Sequence, residues 1–323
     1  MRAGDKLTRR IVWLDWMKVW AIFAIIWGHF LSAGHLYLYV FSVQVFCVIS
    51  GFLYKRAPEW RTCIKKLFLQ LLVPTFIMSV LIQLEADIRC FALGNIFCWT
   101  TWISFFKWFI LGQRWCVGPC WYFYSLIVMR LIMQVMPGKK WIYIILFIVV
   151  SSGAILWQQV GIKMSNANTN VLVCMPLFLI GVFLKPYKEV FNRLHNFLIE
   201  LVLLVLSIAL VVLCGHYNGY VWMYLCEYGN NFVFYLLGGM SGTVMLYVIS
   251  LWLGRLPYRN MMNTLSRGSI LIIGLHFIIV RRLTELPNRV WVEDFVFAVL
   301  ILLCFVPIIR LAELFCPILL GRR

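Results

Sequence analysis

Apolar residues recur along this chain in near-continuous blocks, separated by short joints that carry Lys, Arg, Gly or Pro. A helix crosses the hydrocarbon core of a bilayer in roughly 20 residues. Strands of a membrane β-barrel would alternate polar and apolar positions, and these blocks do not. The pattern predicts an all-α, polytopic integral membrane protein with about ten transmembrane helices. The expected spans are 11–32, 35–54, 67–85, 119–136, 141–160, 170–185, 196–215, 231–253, 268–284 and 291–315. The sixth is short and holds Pro176, and the ninth ends in Arg281 and Arg282. Residues 95–115, rich in Trp and Phe, are expected at the outer interface or as a re-entrant segment, because an eleventh crossing would invert every later loop.

Composition supports the same class: 63% of residues are hydrophobic, 13% are charged, and the mean hydropathy is +0.90. Soluble domains do not have such values. The placement of charge predicts orientation. With the N-terminus inside, the inner segments hold nineteen of the 29 Lys and Arg, the outer segments seven, and Lys18, Arg130 and Arg310 lie within spans. Both termini are therefore expected in the cytoplasm. Inner acids number only three, Asp5, Glu59 and Glu189, so nearly all of the formal +17 faces inward. Such a face suits anionic lipid or a polyanionic cytosolic ligand held by Lys, Arg and helix N-termini.

One domain spanning 1–323, with no soluble module and no cleaved leader, is the simplest organisation. The eleven cysteines show no C-x-x-C pair and no Cys/His ligand spacing, so no metal is expected. Cys90, Cys98, Cys116, Cys120 and Cys226 would lie outside, where a disulfide is one option and a small hydrophobe the other.

The candidate chemistry begins in the first span, "LDWMKVWAIFAIIWGHF". Charged and titratable groups in such a segment either pair within the protein or carry function. Lys18 and His29 are eleven positions apart, which leaves only about 20° between them around a helix and about 16 Å along it. Asp15 flanks the same face, so one stripe of the helix is polar and must look into protein or water. Asp15 and Lys18, three residues apart, can neutralise each other near the inner interface. His29, in the outer third and away from any acid of its helix, is the side chain suited to take a proton near neutral pH. In the second span, "VFCVISGFLYKR" places Ser50 and Gly51 just before a basic loop, where a glycine permits close helix approach and a serine can bind freed carbonyls or a ligand.

The Lys18 to His29 spacing followed by "FCVISGF" resembles the acyltransferase 3 family of membrane-bound acyltransferases, and "LDWMKVW" with the following Gly-His is most similar to its polysaccharide or sugar O-acetyltransferase branch. "GPCWYFYSLIVMRL", "MPLFLIGVFL" and "SILIIGLHFIIVRRL" resemble further family segments in the same order. Two positions depart from the family pattern: an R-x-x-R run falls on Leu67 and Gln70, and a second histidine before S-G-F falls on Ser42.

The resemblance implies transfer of an acyl group, usually acetyl from acetyl-CoA, to a hydroxyl of a cell-envelope sugar, polysaccharide or glycolipid in a bacterial inner membrane. It implies His29 as general base, Lys18 holding the donor or developing charge, and Asp15 orienting Lys18. Ser50, Gly51, Arg61, Lys65 and Lys66 would serve the donor, and Trp121, Tyr122 and His276 the acceptor. Packing, topology and interface-belt roles stand beside each of these. Lipid, the acyl donor and the acceptor are the expected partners, nucleic acid is not, and a homo-oligomer is left open. A transporter or flippase of an anionic substrate, with Asp15, Lys18 and His29 as a proton relay, and a catalytically inactive family member are the alternatives. No inverted repeat or pair of broken helices speaks for transport.

Overall fold

The computed structural model describes residues 11–31, 34–94, 99–161, 166–193, 196–285 and 290–321. Among them it is 84% helical and has no strands, with sixteen α-helices. In chain order these are α1 (Val12–Gly28), α2 (His35–Tyr39), α3 (Ser42–Phe52), α4 (Trp60–Leu67), α5 (Val73–Ala92), α6 (Trp99–Ile110), α7 (Arg114–Val117) and α8 (Trp121–Val135). The second half holds α9 (Lys140–Val160), α10 (Val171–Leu184), α11 (Lys188–Arg193), α12 (Phe197–Asn218), α13 (Phe232–Leu253), α14 (Arg259–Arg267), α15 (Ser269–Thr284) and α16 (Trp291–Phe315).

Eight helical stretches among the described residues are long and apolar enough to cross a membrane, and they coincide with eight of the expected spans. The expected ninth span is a bent pair: α14 and α15 meet at 80°. The first, α1, has 17 residues, at the short end of what crosses a bilayer. The third is longer than its hydropathy suggested, running through α4, a π-helical turn at Phe68–Leu72 and α5 as one 33-residue stretch. Within 95–115, α6 is only 12 residues long, too short to span. Residues 95–98 lie outside the described residues.

At the centre stands α1. It packs against α2, α3, α13, α14, α15 and α16, and Leu14, Met17, Ala21, Ile22 and Ile26 are among its buried residues. Enclosure on all sides is what its polar stripe requires, since lipid would penalise Asp15, Lys18 and His29. By contrast α9 and α12 expose Ile145, Val149, Val205 and Leu206 on the outside of the bundle, where the solvent is lipid.

The tightest helix pair is α3 with α10, and Gly51 is the reason. A Cβ at Gly51 would collide with the Phe178 carbonyl oxygen, and one at Gly181 with the Val48 carbonyl oxygen. The two glycines thus let the backbones touch reciprocally, as small residues do in membrane bundles. At the ends, Arg282 pairs with Glu85 at 2.6 Å and Arg267 with Glu313 at 3.2 Å, each joining helix ends that the charge count assigns to one side. The described cysteines, Cys90, Cys116, Cys120 and Cys226 included, are free thiols; Cys98 lies outside the described residues.

Because backbone meets backbone at Gly51, no rotamer change relieves an added methyl group. Gly51→Ala is expected to cost at least the 1–3 kcal/mol typical of overpacking. A lowered midpoint in detergent thermal unfolding, read by intrinsic fluorescence, is the check.

Candidate active site

The polar stripe of α1 meets the bent pair α14–α15 at both of its ends. At the inner end, the Ser266 hydroxyl donates to an Asp15 carboxylate oxygen at 2.6 Å. Ser266 lies two residues before Gly268, where α14 turns into α15, and Ser269 just after the turn donates to the Ser266 carbonyl at 2.8 Å. Asp15 therefore helps hold the bend of the neighbouring pair, a role that its position beside Lys18 did not reveal. Lys18, half-buried, follows on the same side of α1.

At the outer end, His29 is the residue that ends α1, its backbone N–H bonded to the Ile25 and Ile26 carbonyls at 3.2 Å. Its ring lies 5.2 Å from that of His276 on α15, 5.3 Å from Phe277 and 6.4 Å from Tyr39. His276 is 1% exposed. Its Nδ1 stands 3.0 Å from both the Ile272 and the Ile273 carbonyl oxygens. Carbonyls only accept, so Nδ1 carries the proton and Nε2 is left with a lone pair. That Nε2 is buried and has no partner among the described residues. The result is an imidazole with a fixed tautomer and a free acceptor nitrogen, next to a second imidazole that is half-buried. The sequence marked both histidines but did not show that they meet; Phe277 and Tyr39, which wall the pair, carried no signal beyond their aromatic character.

On the other side, Ser50 and Tyr122 form one unit. The Tyr122 hydroxyl donates to the Phe46 carbonyl at 2.9 Å, and Ser50 Oγ then donates to Tyr122 Oη at 2.8 Å. With its ring against Phe46, Trp121 and Phe123, Tyr122 is only 4% exposed. An enclosed ring cannot serve as a sugar-stacking platform. The expectation of a stacking platform or interface belt at Tyr122 is therefore corrected to an interior hydrogen-bonding position, while Trp121 stays half-buried at the start of α8.

The expected donor lysines and arginine split. Arg61 and Lys65 line an open groove of about 620 Å³ with Trp60, Ile64 and Phe68. Those three apolar side chains are about half exposed, so that groove faces outward. Lys66, also exposed, is not part of that lining.

Removing the Ser266 hydroxyl leaves a half-buried carboxylate short of a donor. Ser266→Ala is expected to cost about 1–3 kcal/mol, whereas Ser266→Thr keeps the hydroxyl and most of the stability. Thermal unfolding of the two variants side by side checks this.

No curated protein and no solved structure matches the chain. A family model described as an acyltransferase domain matches residues 11–311, which takes in both histidines, the Asp15–Ser266 contact and the Ser50–Tyr122 unit. This multi-pass membrane protein belongs to the acyltransferase 3 family.

Proposed function

We propose that the protein transfers an acetyl group from cytosolic acetyl-CoA to a hydroxyl of a cell-envelope sugar, polysaccharide or glycolipid, in the manner of the family's sugar O-acetyltransferase branch, in a bacterial inner membrane. The observation that carries this reading is the His29–His276 pair at the outer end of α1, the helix on which six others pack. Two adjacent imidazoles, one with a fixed free lone pair, suit removal of a proton from a bound hydroxyl.

In the reaction, His29 takes the proton of the acceptor hydroxyl as its oxygen attacks the thioester carbon. The carbon–sulfur bond then breaks, and the thiolate leaves with the proton that His29 gives back. The products are an acetyl ester and free CoA. His276 touches the same hydroxyl through Nε2 and holds it toward His29. Lys18, about 16 Å along the helix toward the cytoplasm, offers its charge to the incoming donor. An acyl-histidine on His29 is the covalent variant of the same scheme.

Purified protein in nanodiscs, supplied with acetyl-CoA and an envelope-glycan extract, is expected to release CoA only when the acceptor is present. His29→Ala should lower that rate by about 10²–10⁴-fold, the usual worth of a positioned base, and His276→Ala by less. The opposite order of the two variants would move the base to His276. Binding of acetyl-CoA without any release, whatever the acceptor, would sink the transfer reading and leave transport or an inactive member.

A further inference from the structure

Arg130 lies on α8 five residues before its end, about 8 Å inside the helix. Its Nε is buried without a hydrogen-bond partner, and no ion pair to it occurs among the described residues. The groups close enough to act on it electrostatically are Tyr122, Tyr54 and Cys63, none of them a carboxylate. The Tyr54 hydroxyl is also buried without a partner, on a residue 8% exposed. One guanidinium nitrogen of half-buried Arg130 and the Tyr54 phenol, both buried without a partner among the described residues, thus lie near each other, while the two terminal nitrogens of the arginine fork are not among the orphaned atoms.

That spot is built, and it is rigid. Arg56 donates to the Met136 carbonyl at 2.9 Å and the Gln134 carbonyl at 3.0 Å, so it caps α8. Gln134 exchanges two hydrogen bonds of 3.1 Å with the backbone of Ala57. Lys185 at the end of α10 donates to the Tyr54 carbonyl, and Lys55 stands close to Lys185. On α4, Lys66 approaches Cys63, which is itself a neighbour of Arg130. Four further cations, three of them exposed, therefore gather around the same end of α8, on the side that the charge count gives to the cytoplasm.

An unpaired cation in apolar surroundings is unfavourable, and a well-packed apolar side chain in its place is often stabilising. Within a membrane protein such a group marks the place where something anionic comes. The guanidinium fork fits phosphate oxygens two at a time. Tyr122, eight residues back along α8 and about 12 Å deeper, carries the Ser50 contact, so the same helix leads from this spot to the packed interior.

We propose that Arg130 and Tyr54 form an anion-binding site for a phosphate of a cytosolic, phosphate-bearing acyl donor. The proposal rests on the transfer reading above for the identity of that donor. Its phosphate sits on the Arg130 fork with the Tyr54 hydroxyl donating to it, and its apolar arm runs past Tyr122 and Ser50. A lipid headgroup phosphate offers the same chemistry, and the experiment separates the two sources.

The test measures binding of acetyl-CoA, and of S-acetyl-pantetheine, which lacks the phosphates, to the full chain in phosphatidylcholine nanodiscs. Arg130→Met is expected to weaken acetyl-CoA binding at least about tenfold, as loss of charge-assisted hydrogen bonds does. It should leave S-acetyl-pantetheine unchanged and raise the unfolding temperature of the ligand-free protein. Arg130→Lys falls between, and Tyr54→Phe, which preserves packing, weakens acetyl-CoA alone; these two carry the test if Arg130→Met does not fold. Unchanged acetyl-CoA affinity in Arg130→Met and Tyr54→Phe, or loss of stability with binding intact, overturns the proposal. Displacement of acetyl-CoA by added phosphatidylglycerol in wild type but not in Arg130→Lys would give the site to lipid and overturn the donor assignment. Wild type that binds S-acetyl-pantetheine but gains nothing from the phosphates overturns the site alone. Wild type that binds neither compound overturns the donor reading itself.

Discussion

A polar group in hydrocarbon must be given a partner, and in this fold that requirement falls hardest on one short helix. Asp15, Lys18 and His29 stand on one stripe of α1, so the remaining helices have to close around it. They do: α3 and α13 to α16 all pack on α1, while α9 and α12 are left to face lipid. The arrangement of the bundle follows from this order of priority. The helix that carries the charged and titratable stripe takes the centre, while α9 and α12 take the periphery.

The contacts around α1 then do double duty. Ser266 answers the Asp15 carboxylate and at the same time sits at the joint between α14 and α15. The carbonyls of Ile272 and Ile273 fix the tautomer of His276, which leaves its other nitrogen available beside His29. The tautomer of the His276 ring thus depends on ordinary backbone geometry in α15. Next to Gly51, which seats α3 on α10, Ser50 bonds the Tyr122 hydroxyl of α8, so adjacent residues of α3 tie it to two neighbours.

Much of this could be read from the residues alone. Apolar run length located the helices because the bilayer imposes it, and a polar stripe at helical spacing identified α1 and its histidine. The bend before α15, the continuity of α4 with α5 through a π-helical turn, and the meeting of His29 with His276 could not be read. They depend on how helices distant in sequence lie against one another, which periodicity does not encode. Tyr122 was misjudged for a related reason: an aromatic residue at a helix start looks the same in sequence whether it faces the interface or bonds Phe46 inside. Arg130 was visible as a charge within a span, but the sequence did not show that its neighbours among the described residues are Tyr122, Tyr54 and Cys63 and not a carboxylate.

The two contacts between α1 and the bent pair lie fourteen residues apart on α1, about 21 Å. Together they work as a register lock. Sliding α15 along α1 by one helical turn, about 5.4 Å, would separate the carboxylate from its serine and the two imidazoles in the same movement. A shift of the bent pair along α1 would therefore disturb the Asp15–Ser266 joint and the histidine pair together.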